Sequence, residues 1–171
     1  MSRGFLALTL LWATSQALAA SPATPAAPCT APEYRRLDFW LGDWDTFEPD
    51  GSGPSQARNR VTAILGGCVV HERYEQADGL TGESFSIYDA PRKVWNQTWV
   101  TNRGTFLSIE GRFKDGVLTL EGPMFDKQGK RVTLRGVWQA QGDGVRETAT
   151  VSKDGGKTWE PYFDILFRKH H

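Results

Sequence analysis

The sequence predicts an all-β protein: an antiparallel, up-and-down barrel of about ten strands preceded by a short N-terminal helical turn. Three observations carry this expectation. Segments rich in β-branched and aromatic residues recur at close, regular spacing from residue 43 to residue 168. The links between them are short and built from Gly, Asn, Asp and Pro, so that consecutive strands run antiparallel. Beyond Leu41 no segment has a helical period, so no crossover helices separate the strands. A strand series of this kind closes most economically on itself, because closure removes exposed edges. An immunoglobulin-like sandwich would need longer Greek-key connections and a Cys…Trp…Cys pattern, and both are missing.

The chain has 171 residues, enough for one domain with a real core. Residues 1–19 read as a signal peptide. Arg3 is followed by an apolar run from Phe5 to Trp12 and by small residues ending in Ala17-Leu18-Ala19, with cleavage expected after Ala19. The run is too short to span a bilayer. The expected location is therefore periplasmic or secreted. Residues 20–32 are Pro/Ala-rich and read as a flexible arm. Residues 33–171 are expected to form the single barrel domain. A helical turn is expected over 33–41, where Leu37, Phe39, Trp40 and Leu41 supply apolar surface.

Strands are expected at 43–48, 57–65, 68–76, 82–88, 94–101, 105–113, 117–122, 131–139, 145–152 and 159–168. The turns between them include Asp50-Gly51-Ser52-Gly53, Gly66-Gly67, Asp89-Ala90-Pro91, Asn102-Arg103-Gly104, Asp115-Gly116 and Gly142-Asp143-Gly144. Gly supplies positive φ there, Asn and Asp tolerate it, and Pro presets the corner.

The charge balance narrows the partners. Loss of Arg3 with the leader takes the basic count from 20 to 19 against 20 acidic residues. A near-neutral chain without a basic stripe is not expected to bind nucleic acid or to anchor at an anionic membrane surface. The cysteines are Cys29 and Cys68, and export would place both in an oxidising compartment. A disulfide between them would tie the N-terminal arm to the strand that starts near Cys68. A lipid-modified Cys29 is the alternative, but Ala26-Ala27-Pro28 follows no apolar run. Neither cysteine has the spacing of a zinc site, and no cofactor or metal is expected. There is no HExxH, phosphate loop or nucleophile elbow.

Candidate binding residues come from strand faces. Trp95, Gln97 and Trp99 share one face by the two-residue period. Two indoles flanking an amide can line a pocket with apolar walls and one polar handle. Glu72 and Tyr74 share a face of the third expected strand. Glu110, Arg112, Glu121, Arg135 and Glu147 follow on later strands. A charge inside a barrel must be paired or must contact a ligand, and Glu72 with Arg135 is the expected interior pair. His71 is expected on the strand surface, and His170 and His171 sit at the C-terminus.

Ser152-Lys153-Asp154-Gly155-Gly156-Lys157-Thr158-Trp159 resembles the Asp-box turn of sialidase blades. Asp154, Gly156 and Trp159 would then build a rigid hairpin turn with no catalytic role. A single copy cannot build a propeller.

A wider resemblance spans most of the chain. It includes Leu37-Asp38-Phe39-Trp40-Leu41-Gly42-Asp43-Trp44, Ile64-Leu65-Gly66-Gly67-Cys68, Ser86-Ile87-Tyr88-Asp89, Trp95-Asn96-Gln97-Thr98-Trp99-Val100 and the terminal Arg168. On these motifs the chain resembles the DUF1579 group of small exported bacterial proteins, with a lipocalin-like (calycin-type) barrel. The resemblance implies export and that fold, and no particular reaction. It also implies that Gly42 and Trp44 open the first strand and that Arg168, from the last strand, covers Trp44 as a cation–π lid over the closed end.

Two functions remain open at this point. One is a non-catalytic barrel binding a small hydrophobic or amphipathic molecule through Glu72, Tyr74, Trp95, Gln97, Trp99 and Arg135. The other is a barrel enzyme of the cyclase or isomerase kind that uses a buried glutamate as acid and base. Haem binding through His71, as in the similar nitrobindin barrels, is a more remote third.

Overall fold

The computed structural model describes residues 28–171. The expected signal peptide, and the expected arm up to residue 27, lie outside the described residues. Two short 3-10 turns, Pro32–Arg35 and Asp38–Trp40, lead into ten strands. These are β1 (Gly42–Phe47), β2 (Ala57–Ile64), β3 (Val69–Gln76), β4 (Thr81–Asp89), β5 (Val94–Thr101), β6 (Phe106–Lys114), β7 (Val117–Phe125), β8 (Arg131–Gln141), β9 (Gly144–Ser152) and β10 (Glu160–Lys169). Each strand pairs antiparallel with its sequence neighbours, and β1 pairs with β10, so the sheet closes into a barrel. The expected architecture is the observed one.

The strands begin and end within two residues of their expected limits except β7, which departs furthest. β7 runs on to Phe125 through Pro123 instead of ending at Gly122. Its ladder with β6 stops at Glu110↔Glu121, while the ladder with β8 continues to Phe125↔Arg131. Pro123 therefore lacks an N–H only where no β6 partner calls for one. β10 carries a register shift between Pro161 and Phe163, which leaves Tyr162 outside the ladder.

The period of two divides every strand into a lumen face and an outer face. At one end the lumen is packed solid. Leu37 and Trp40 from the N-terminal turns enter it and join Trp44, Val61, Val70, Trp95, Leu118, Trp138, Val145 and Phe167 in one cluster. The Trp40 ring lies 6.1 Å from Trp138 and 6.2 Å from Phe167, centroid to centroid. The Trp44 indole N–H donates to the Trp40 carbonyl at 2.8 Å, fixing the plug to the first strand. Cys29 and Cys68 form a disulfide. Arg35 donates to the Gly67 carbonyl beside it, so the arm is held to the β2–β3 turn at this same end.

Gly42 earns its place by conformation and by space. Its φ is +152°, and a Cβ there would meet both the Lys169 ammonium and the Trp44 ring. The expected lid is corrected here. Lys169, not Arg168, covers Trp44, with Nζ 3.6 Å from the ring centroid. The register explains it: Trp44 is opposite Lys169, and Asp45 is opposite Arg168. One residue along a strand changes the face, so Arg168 points outward. There its guanidinium lies 5.4 Å from the Phe47 ring and donates to the Gly51 carbonyl at 3.5 Å.

The Asp-box turn forms as expected. Asp154 accepts from the Lys157 and Thr158 N–H groups and from the Thr158 hydroxyl. The Trp159 N–H donates to Gly156 at 3.1 Å. These bonds, the Thr158 hydroxyl first, hold the Asp154 carboxyl down at about 2.

Candidate functional site: the lumen

Away from the plug the lumen changes character. Tyr74, Trp99, Leu107, Met124, Val151, Phe163 and Ile165 lie on inward-facing positions, yet each keeps some exposure. Inward residues with residual exposure mark a mouth, at the end where the loops 48–56, 77–80, 102–105, 126–130 and 153–159 turn. Tyr74 and Trp99 meet edge to face at 6.1 Å on its wall. Gly82 makes room for this contact, since a Cβ there would fall 2.3 Å from the Trp99 ring. Trp95, Gln97 and Trp99 share the lumen face but not one environment. Trp95 is buried in the packed end, Gln97 is 5% exposed at mid-depth, and Trp99 stands in the mouth.

Between mouth and plug lies a polar belt. Glu72 on β3 is 7% exposed. It accepts from the Ser84 hydroxyl at 2.7 Å, directly opposite it on β4, and from the Asn59 amide at 3.0 Å, diagonal to it on β2. Gln97 donates to Ser86 at 3.1 Å. Thr46 on β1 completes the belt with its hydroxyl bonded to the Ala57 carbonyl at 3.3 Å. Glu147 on β9 enters the same space, with β2, β1 and β10 lying between β3 and β9 around the barrel. Its carboxyl lies deep in the protein, while the residue as a whole is only partly buried.

Electrostatics sets the two glutamates apart from ordinary surface carboxylates. Burial pushes Glu72 up to about 7, and the hydrogen bonds from Ser84 and Asn59 only partly offset it. Burial, and then the negative charge of Glu72, raise Glu147 well above the usual range. The Trp138 indole N–H leans toward Glu147 without reaching good hydrogen-bond geometry. Burial also pushes the Tyr74 hydroxyl up to about 12, with both glutamates adding to it. The Asn59 carbonyl oxygen is buried with no donor opposite it.

Arg135 is not part of this site, which corrects the expected Glu72–Arg135 pair. Arg135 lies on the outer wall, bonds Glu121 at 2.6 Å and stacks 3.7 Å from the Trp159 ring. On β8 the lumen face is Val132, Leu134, Gly136 and Trp138, so the arginine must face out. Glu72 instead meets Glu147, a residue whose strand face the sequence reveals. Val145, Ala149 and Val151 flank it at the two-residue period. Asn59 carries the same signal between Ala57 and Val61.

His71 also faces out, 3.0 Å from the Glu83 carboxylate and stacked on Phe85 at 4.8 Å. Among the described residues no group of three or more His, Cys, Asp or Glu side chains is placed to hold a metal ion. Two grooves, of about 210 and 230 Å³, lie on the outer wall. The first is lined by Arg58, Arg60, Arg73 and Glu75, and its arginines are already paired with Asp43 and Glu75. The lumen, with its aromatic mouth and polar floor, is the stronger candidate. No helix among the described residues is long and apolar enough to cross a membrane. No protein-family model matches the chain, and no curated protein matches it closely enough to count as a relative.

Proposed function

We propose that this is an exported barrel that binds a small amphipathic molecule in its lumen. The observation that carries the reading is the gradient of chemistry along the barrel axis. An aromatic and aliphatic mouth of Tyr74, Trp99, Leu107, Phe163 and Ile165 leads down to the belt of Glu72, Glu147, Asn59 and Gln97. A ligand with an apolar body and a polar end matches both zones. The disulfide supports export, since such bonds persist in oxidising compartments.

The neutral fluorophore N-phenyl-1-naphthylamine tests the reading. It should bind saturably and quench tryptophan emission. Trp99→Ala should weaken that binding by about tenfold through loss of the mouth wall. Trp159→Ala, in the outer turn, should leave it unchanged. Equal loss in both variants would report stability alone, and no saturable binding to the wild type would end the proposal.

Glu72 supports a second reading, that of an acid/base enzyme. A carboxyl near 7, held by Ser84 and Asn59 in a lumen, is suited to accept and return a proton. The readings part on the fate of a bound molecule: a binding protein returns it unchanged, whereas a catalyst converts it and loses turnover in Glu72→Gln.

A further inference from the structure

The lumen chemistry is one-sided. Two carboxyls reach into it, and the inward faces of β1, β2, β4, β5, β6, β7, β8 and β10 bring them no cation. Those faces offer Thr46, Asn59, Ser84, Gln97 and Trp138 in and beside the belt. Among the described residues the inward-facing basic side chain is Lys169, and it is spent at the plugged end over Trp44. The lumen arginine expected from the sequence, Arg135, is outside on Glu121, and Arg146 faces out as well, on Asp164 at 2.5 Å. A buried carboxylate without a counter-charge is costly and calls for one.

The hydrogen bonding is one-sided in the same sense. Glu72 receives a donor on each oxygen, but the Glu147 carboxyl has only the poorly aligned Trp138 N–H. The Asn59 carbonyl oxygen, 0% exposed as a residue and adjacent to Glu72, has no donor. An ammonium group carries three donors and no acceptor. It would supply one each to Glu72, Glu147 and Asn59, and its charge would offset one carboxylate while the other glutamate keeps its proton. The Tyr74 and Trp99 rings line its way in, and aromatic faces attract cations.

We infer that the lumen selects amphipathic primary amines, the ammonium seated between Glu72 and Glu147 beside Asn59 and the apolar chain lying toward Leu107, Phe163 and Ile165. This inference rests on the binding reading above and adds the sign of the ligand's charge. It excludes fatty carboxylates, whose head would meet two like charges and no cation.

The test compares octylammonium, octanol and octanoate as competitors of N-phenyl-1-naphthylamine at concentrations below micelle formation. Octylammonium should bind about tenfold more tightly than octanol at pH 8, and octanoate more weakly than both. Because one of the glutamates must be ionised to receive the cation, octylammonium affinity should fall by about tenfold between pH 8 and pH 5. Calorimetry in buffers of different ionisation enthalpy should record release of about one proton per ligand. The titratable groups that face the head are Glu72, Glu147 and Tyr74, and Tyr74 stays protonated across this range. Glu147→Gln should erase the preference for octylammonium over octanol while octanol binding persists.

Octanol binding as tightly as octylammonium, or octanoate binding more tightly, would overturn the inference and leave the binding barrel standing. Failure of all three to displace the fluorophore would overturn it too. Failure of the fluorophore itself to bind would remove the underlying reading. Should Glu147→Gln not fold, the wild-type pH series decides: an octylammonium affinity equal at pH 5 and pH 8 would reject the inference.

Discussion

Glu72 makes folding sensitive to pH in a direction that its surroundings dictate. Its ordinary value is 4.5, and burial takes it to about 7 in the fold. The unfolded chain therefore releases this proton near 4.5, whereas the folded chain holds it until about 7. The stability tied to the protonated group is fully present below 4.5 and is lost as pH rises through 7. The loss for such a shift is about 3 kcal/mol, and Glu147 acts in the same direction. Urea unfolding of the wild type should thus give a higher stability at pH 5 than at pH 8. Glu72→Gln, which keeps an acceptor for Ser84, should flatten that slope and be the more stable protein at pH 8. A variant with the wild-type slope would show that Glu72 is not its source. At this scale the sequence was legible only in part. Glu72, Tyr74, Gln97 and Trp99 could be placed together by strand period. Glu147 could have been placed the same way, since Val145, Ala149 and Val151 mark its face as the lumen side. Choosing Arg135 as the partner put charge complementarity ahead of that count, and the period of two won.

Elements were more legible than the residues on them, because turn chemistry is local and pairing geometry is not. Asp115-Gly116 and Gly142-Asp143-Gly144 mark strand ends without reference to the rest of the chain. The end of β7 depends instead on its ladder with β8, which carries it through Pro123 to Phe125 and which no local signal reports. The lid over Trp44 failed for a related reason. Neighbouring Arg168 and Lys169 are equal as cations, and only the β1–β10 register decides which one meets the indole. That register makes a discriminating prediction. Lys169→Ala should cost about 0.5–1 kcal/mol through the lost cation–π contact and the lost hydrogen bond to the Leu41 carbonyl. Arg168→Ala, removing an outer-wall contact to Phe47, should cost less. Thermal melts of the two variants side by side check the order, and a larger loss from Arg168→Ala would contradict the register.

For the whole molecule, closure and plugging are separate tasks carried out at different places. The β1–β10 ladder closes the sheet, and Leu37 with Trp40 seals one end of the tube it makes. The plug belongs to the N-terminal arm, which is held by the Cys29–Cys68 disulfide, by Arg35 on Gly67 and by the Tyr34–Tyr88 contact at 5.4 Å. The disulfide spans a sequence separation of 39, for which the chain-entropy model gives about 4 kcal/mol. Removing it with the paired change Cys29→Ser and Cys68→Ser should lower the melting temperature by about 10 °C. The mouth lies at the other end of the barrel, walled by Tyr74, Trp99, Leu107 and Phe163. Well below its melting temperature, the disulfide-free protein should therefore bind N-phenyl-1-naphthylamine with wild-type affinity. Stability and binding would then vary independently, as expected where one end of a tube is structural and the other receives the ligand. A matching loss of affinity would instead mean that the plug sets the shape of the lumen down to the Glu72–Glu147 floor.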